Sequence, residues 1–237
     1  MASTVHLGLP LLAASQAQKH VTVNEALAIL DAAAQLHVSS SVVATPPTSA
    51  AEGTSFLLPA AANGDWAGKS GNIAVWSNGG WIFLTPRSGW RVWDASRQGW
   101  HFFDGTAWIA DAVVASQHGA GMIWKVIEFD HVIAPGASNP TLIVIPSHTQ
   151  VVGITGRVLN ALSGSGLTSW RVGVVGADNR YGMGLGLARN SYVVGLSGSP
   201  VTYFADTPLL LTAEGGVFAS GSVRLALNVV QLTPPRA

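Results

Sequence analysis

Residues 72–85 read NIAVWSNGGWIFLT, and residues 90–104 read WRVWDASRQGWHFFD. In each, two short runs of aromatic and β-branched residues flank a turn cluster, SNGG or ASRQG. Such side chains suit a pleated, half-buried surface, and clusters containing Gly and Asn turn the chain tightly, so both stretches are expected as hairpins. Seven of the nine tryptophans fall between residues 66 and 108: Trp66, Trp76, Trp81, Trp90, Trp93, Trp100 and Trp108. Their spacing is too uneven for a regular repeat array. The expectation is a small antiparallel meander of about five or six short strands. A buried aromatic removes about 150–250 Å² from water, so a few tryptophans hold together a domain too small to build a core from Leu and Val alone. The alternative is that some of them form an exposed platform for sugar rings.

Upstream lies residues 7–37, LGLPLLAASQAQKHVTVNEALAILDAAAQLH. Thr22 followed by Glu25 has the spacing of a capping box, which would start a short helix of about four turns. Val23, Ala26, Leu27, Leu30, Ala34 and Leu36 then recur near helical spacing and make one apolar stripe. The plain reading of that stripe is a helix docked on its own domain. Before it come the apolar Leu7, Leu9 and Pro10 and the polar patch Gln16, Gln18, Lys19 and His20. Pro10 fixes its own φ and biases Leu9 towards an extended form. Extended backbone needs partners for its N–H and C=O groups. Residues 1–21 are therefore expected to form an arm that docks on a neighbouring subunit, with Leu7, Leu9, Pro10, Gln16, Gln18, Lys19, His20 and Asn24 as contact candidates. The competing reading folds the arm back over the tryptophan-rich sheet of the same chain.

Downstream, residues 22–110 end in the tryptophan-rich region, and residues 111–123, with Gly119 and Gly121, read as a linker. Residues 124–237 are strand-like runs separated by Gly, Pro, Asn and Ser. That pattern indicates a β-sandwich, with a jelly roll of about eight strands as the expected form. The fold class is mainly β: an arm, a short helix, a tryptophan-rich antiparallel domain and a jelly-roll-like sandwich.

Charged residues make up only 10% of the chain and the net charge is zero, against about 25% charged in an average domain. So bare a surface suggests burial in an assembly. With no basic face, nucleic acid is not an expected partner. Cysteine is absent, which excludes disulfides and suits assembly in a reducing cytoplasm. The N-terminal apolar run is too short to span a membrane, and without Lys or Arg before it makes a poor signal peptide; no membrane insertion is expected.

Few residues suggest chemistry. The histidines at positions 6, 20, 37, 101, 118, 131 and 148 show no metal-ligand spacing. Neither a metal nor a cofactor is expected. Glu128 and Asp130 would share a strand face about 6–7 Å apart, within reach of a glycosidase pair, though adjacent acids on one strand more often form a solvated face. Residues 182–187, GMGLGL, fail as a phosphate loop because no helix follows. As a strand they would place three glycines on one face and Met183, Leu185 and Leu187 on the other. Trp170, Arg180, Tyr181, Tyr192 and Tyr203 lie near that run in sequence and are candidates for binding a glycan.

Two resemblances add to this reading. The run LGLPLLAASQAQKHVTVNEAL resembles the opening signature of a domain-of-unknown-function family, DUF2793-like, found in tailed phages, prophages and gene transfer agents of alphaproteobacteria. The likeness covers residues 7–110 well and the C-terminal half more loosely. It implies a virion structural role without an enzymatic motif, of the head-spike base type that links a capsid to a fibre. The run GWRVWDASRQGWHFFDGTAW resembles the aromatic hairpin repeats of bacterial cell-wall and choline-binding modules. The expected function is thus a non-enzymatic structural protein of a phage-like particle, assembled in the bacterial cytoplasm. Its expected partners are capsid protein, a spike fibre protein and further copies of itself, with a pentamer as first expectation to match a fivefold vertex. The alternatives are an adhesin for a host capsular polysaccharide and, more remotely, a polysaccharide-degrading enzyme.

Overall fold

The computed structural model describes residues 3–12 and 19–237, and at residues 19–22 the backbone only. Two compact units emerge, Met1–Gly121 together with Thr233–Ala237, and Met122–Leu232. The last five residues therefore belong with the first unit and not with the sandwich. The first unit contains α1 (Lys19–Ala34), β1 (His37–Val38), β2 (Ser55–Leu57), β3 (Ile73–Ser77), β4 (Gly80–Leu84), β5 (Arg91–Asp94), β6 (Gly99–Phe103), β7 (Trp108–Ala110) and β8 (Ala112–Ala115). The stretch 111–123, expected as a linker, thus carries β8 and the start of the next strand.

Both hairpins form where the turn clusters place them. Asn78 and Gly79 take φ of 52° and 80° between β3 and β4, and Gln98 takes 52° between β5 and β6. The meander differs from expectation in being two sheets, β2-β3-β4 and β1-β5-β6-β7. It also holds one parallel pair, since β1 runs alongside β5 with His37 opposite Trp93. Hairpin signals report only neighbours in sequence, whereas a parallel pair needs a long crossover, here the whole of β2-β3-β4. The three-stranded sheet is covered on both faces. Leu57, Ile73, Val75 and Leu84 join Val38 and Val92 in one cluster, with Ala32 and Ala33 of α1 against it. On the other face Phe56, Leu58 and Ala74 close over Trp66, whose ring lies 5.2 Å from Phe56 and 5.1 Å from Trp81.

The helix does not start at the capping box. It is already helical at Lys19, so Thr22 lies inside it. Neither Gly nor Pro interrupts residues 19–22, and nothing there stops the helix.

Three buried aspartates fix the loops of this unit. Asp31 accepts bonds from the Thr4 hydroxyl at 2.8 Å and from the amides of His6 and Leu7 at 2.9 and 2.6 Å. Asp94 accepts from the Ser96 amide and hydroxyl at 2.9 and 2.7 Å and shapes the β5–β6 turn. Asp104 accepts from the amides of Thr106 and Ala107 at 2.8 and 2.9 Å, and from Arg236 Nη2 at 2.6 Å. Burial alone would raise each carboxyl, but the donors outweigh it and all three lie below the usual range.

The second unit is a sandwich of β9 (Gly121–Val132), β10 (Ser138–Ile145), β11 (Thr149–Ser163), β12 (Ser169–Val174), β13 (Ala177–Leu185), β14 (Tyr192–Tyr203), β15 (Thr207–Glu214) and β16 (Ser220–Thr233). One sheet runs β14-β11-β16-β9 and the other β10-β15-β12-β13. The pairs are nested: β9 with β16, β10 with β15, β11 with β14, β12 with β13. This is the strand order of a jelly roll. Ile154, Val158, Leu209, Leu211, Leu225 and Leu227 meet between the sheets, around Trp170, Tyr181 and Phe218. In β13 one extra residue separates the pairs Trp170–Leu185 and Val172–Gly182. This bulge overturns the expected alternation, turning Met183 out to solvent while Leu185 and Leu187 stay on the core.

Two outcomes test this fold. A carboxyl with a lowered folded pKa contributes stability above its unfolded value of about 3.9, and that contribution is lost as pH falls through the folded value. Tryptophan fluorescence of the first unit should hold down to about pH 4 and collapse below it; a signal unchanged at about pH 2 would show that the aspartates matter little. At the closed edge of the sandwich, a Cβ on Gly195 would fall 1.9 Å from the Tyr181 carbonyl oxygen, whereas one on Gly198 meets nothing within 4 Å. Gly195→Ala should cost at least the upper end of the ~1–3 kcal/mol typical of overpacking, and Gly198→Ala under about 0.5 kcal/mol, by urea unfolding.

Candidate functional site

The N-terminal arm is a small hairpin clasped to its own helix. Thr4 donates its amide to the Leu9 carbonyl and accepts the Leu9 amide on its hydroxyl, both at 2.9 Å. Asp31 holds its tip, and Asn24 holds its far end by accepting the Leu12 amide at 2.9 Å and donating to the Leu12 carbonyl at 3.1 Å. Among the described residues of the arm, the amides of Thr4, His6, Leu7, Leu9 and Leu12 therefore find partners within the chain. Its apolar side chains are another matter. Val5, Leu7 and Leu12 are exposed, as is Pro10, and Leu9 is half-buried. Gln16 and Gln18 lie outside the described residues. Lys19 and His20 sit in the first turn of α1 as described by its backbone.

The face that α1 turns to its own unit is partly polar. Asn24 and Asp31 meet the arm, while Ala32 and Ala33 meet the sheet. The apolar stripe is split: Leu27 and Leu36 are half-buried, Leu36 against the core cluster, whereas Val23 is 40% exposed and Leu30 52%, with Ala26 and Ala34 exposed beside them. The helix docks on its own unit, as expected, but with only part of its apolar stripe; the rest faces solvent.

The outer face of β5–β6 carries the exposed aromatics. Trp93 and Trp100 pair across the strands, with ring centroids 5.3 Å apart at 70°, and Trp100 is 49% exposed. One row along, the Arg91 guanidinium stands 5.7 Å from the Phe102 ring and donates to the Val113 carbonyl at 2.8 Å. The tryptophans thus differ in burial, Trp66 wholly in the core and Trp100 half-exposed.

The glycan candidates of the sandwich do not come together. Trp170 is 1% exposed and donates its indole N–H to the Gly186 carbonyl at 3.0 Å. Tyr181 is buried too, its hydroxyl 2.8 Å from that of Tyr203, and burial pushes its pKa up. Arg180 is exposed on β13, and Tyr192 is exposed on β14 in the other sheet. The acid pair fares no better as a glycosidase site. Arg224 grips Asp130 with two bonds of 2.6 and 2.9 Å, with Glu128 3.9 Å away. The Arg224 bond holds the Asp130 carboxyl below its usual range, the opposite of what a general acid needs.

What the sequence reading missed is the outer face of the β14-β11-β16-β9 sheet. Val194, Thr155 and Ala226 line up across β14, β11 and β16, and Leu196, Trp124 and Val126 are exposed on the strands at either side. The signal was present in residues 122–129, MIWKVIEF, which are apolar at both parities and so cannot bury all their apolar side chains on one face of a sheet.

The clasp makes a direct expectation. Asp31→Ala removes the acceptor shared by Thr4, His6 and Leu7. The His6 and Leu7 amides should then exchange with deuterium at open-chain rates while tryptophan fluorescence stays native. Continued protection of those amides would show that the arm is held by something else.

A family model described as "Protein of unknown function (DUF2793)" matches residues 23–109. Among solved structures, a chain titled "Cyanophage Pam1 capsid asymmetric unit" is similar at a TM-score of 0.37 and 20% identity, over 50% of this chain and 92% of that one. At that score the likeness assigns neither fold nor role. No curated protein matches the chain. The helix and the tryptophan-rich sheets of the first unit carry the DUF2793 match, and the jelly roll lies beyond it.

Proposed function

We propose that this chain is a non-enzymatic structural protein of a phage-like particle or gene transfer agent, a head-spike base or fibre-attachment protein. The observation that carries an assembly role is the pattern of exposed apolar faces. Val23 and Leu30 on α1, and Trp124, Val126, Val194 and Leu196 on the sandwich, face solvent in a chain only 10% charged. Exposed apolar side chains beyond the scattered few of an ordinary surface point to interaction sites. The particle is read from the resemblance of the N-terminal signature to a family of tailed phages, prophages and gene transfer agents, and the family match over residues 23–109 supports that resemblance. In this reading the chain binds capsid protein and a spike fibre and forms a homo-oligomer, with a pentamer at a fivefold vertex. Particles lacking the gene should lose their projections in negative stain; unchanged particles would reject the proposal.

A second reading, adhesion to a capsular polysaccharide, is favoured by the Trp93–Trp100 pair, because an exposed indole face is a stacking surface for a sugar ring. On a glycan array the full chain should bind and Trp100→Ala should lose binding. Equal signals from both proteins would remove Trp100 from any such site.

A further inference from the structure

We infer that the outer face of the β14-β11-β16-β9 sheet holds a binding site for a carboxylate-bearing sugar, with Arg157 on the carboxylate and Tyr192 under the ring. This goes beyond the proposed function, since it puts a ligand on the second unit and does not draw on the Trp93–Trp100 pair. Register builds the site. Arg157 of β11 stands opposite Tyr192 of β14 on one side and opposite Arg224 of β16 on the other. Like charges directly opposite each other across two strands are destabilising. An arginine pair in register therefore costs the sheet stability, and only one of the two is compensated. Asp130 accepts from Arg224 Nε and Nη2 at 2.6 and 2.9 Å, and Glu128 lies 3.9 Å from Nε. Arg157 Nη1 donates to the Asn190 carbonyl at 3.4 Å, and among the described residues no carboxylate pairs with it. The strand that carries both acids is two strands from β11, roughly 10 Å, about the distance over which salt screens a charge.

Beside the arginines the floor of the sheet is low. Thr155 and Ala226, the next outward residues of β11 and β16, are small and face each other. With Tyr192, Arg157, Arg224 and Glu128 they line an open groove of about 420 Å³, within the range of about 300–1,000 Å³ of small-molecule clefts. The lining selects the class of ligand. A guanidinium grips a carboxylate with two parallel hydrogen bonds. The Tyr192 ring is 68% exposed and offers an apolar face with a polar tip, a platform for the C–H face of a sugar ring. Glu128 accepts from hydroxyls, and the Thr155 hydroxyl both donates and accepts. A run of acidic residues in a peptide would use Arg157 but meet repulsion at Glu128. A sugar sets its carboxylate apart, among hydroxyls that Glu128 can hold.

Calorimetry on the purified full chain tests this. Oligomers of galacturonate, glucuronate and N-acetylneuraminate are the carboxylated probes, and neutral galactose oligomers, dextran sulfate and polyglutamate are the comparisons. At least one carboxylated sugar should bind at least about tenfold more tightly than the neutral one, the loss typical of one charged hydrogen-bonded contact. Arg157→Gln and Tyr192→Ala should each weaken that binding at least about tenfold. Arg180→Gln, exposed on β13 of the other sheet, should leave it unchanged. Urea unfolding gives a readout that needs no probe: with an opposed charge removed, Arg157→Gln should unfold no earlier than the wild type. No binding of any carboxylated sugar, equal binding of the neutral one, unchanged binding in Arg157→Gln or Tyr192→Ala, or an equal loss in Arg180→Gln would each overturn the inference. Binding of dextran sulfate or polyglutamate as tight as that of the sugar would reduce the site to a general anion patch and overturn it too. An earlier urea midpoint in Arg157→Gln would assign Arg157 to the fold instead. Each of these results leaves the virion role to its own test on particles.

Discussion

The first unit depends on carboxylates taken out of water. Asp94 is fully buried, and Asp31 and Asp104 nearly so. Burying an ionised group costs several kcal/mol unless donors replace its hydration. At Asp31, Asp94 and Asp104 the replacement includes two backbone amides each, with hydroxyls or Arg236 completing the set. A carboxylate satisfied this way dictates where the chain must pass. Asp31 sets the path of the arm, Asp94 the turn between β5 and β6, and Asp104 the turn into β7. The tryptophans supply burial, but it is these bonds that choose among the many ways of packing rings together.

The jelly roll achieves its order differently, by alternation and nested pairing. Its interior is aliphatic around Trp170, Tyr181 and Phe218, with the two tyrosine hydroxyls satisfying each other. Its charged pairs sit outside: Arg224 with Asp130, and Arg171 with Asp178 at 2.8 Å. Exposed pairs of this kind contribute little. Both units therefore leave their surfaces short of charge and rich in Val, Leu and Trp, the condition that makes contact with other molecules favourable.

The sequence spoke clearly wherever a signal was local. SNGG and ASRQG named two hairpins because positive φ at Asn78 and Gln98 is a property of the turn itself. The strand-like runs after residue 124, parted by Gly, Pro, Asn and Ser, named a sandwich. What it left unsaid was non-local. Periodicity shows that α1 has an apolar face, but not how much of it is covered: Leu36 meets the core cluster, whereas Val23 and Leu30 stay exposed. The parallel partnership of β1 with β5 depends on a crossover of fifty residues that no local pattern announces. The glycan constellation failed for a reason already legible. Arg180 and Tyr181 are adjacent on one strand and must point to opposite faces, so they were never able to share a site. Gly184, with φ of 62°, marks the bulge that broke the expected alternation beyond it.

The nesting of the jelly roll also has a consequence for the order in which this protein can mature on the ribosome. β9 is translated first of the eight sandwich strands and pairs with β16, which is translated last. Until β16 emerges, β9 has an open edge beside apolar side chains on both its faces, and closing so long a loop is slow. Residues made later still return to the first unit, where Arg236 reaches the buried Asp104. Domains of a nascent chain generally fold in the order they appear. Here the unit that appears first is completed last, and its final contact waits on the synthesis of everything between.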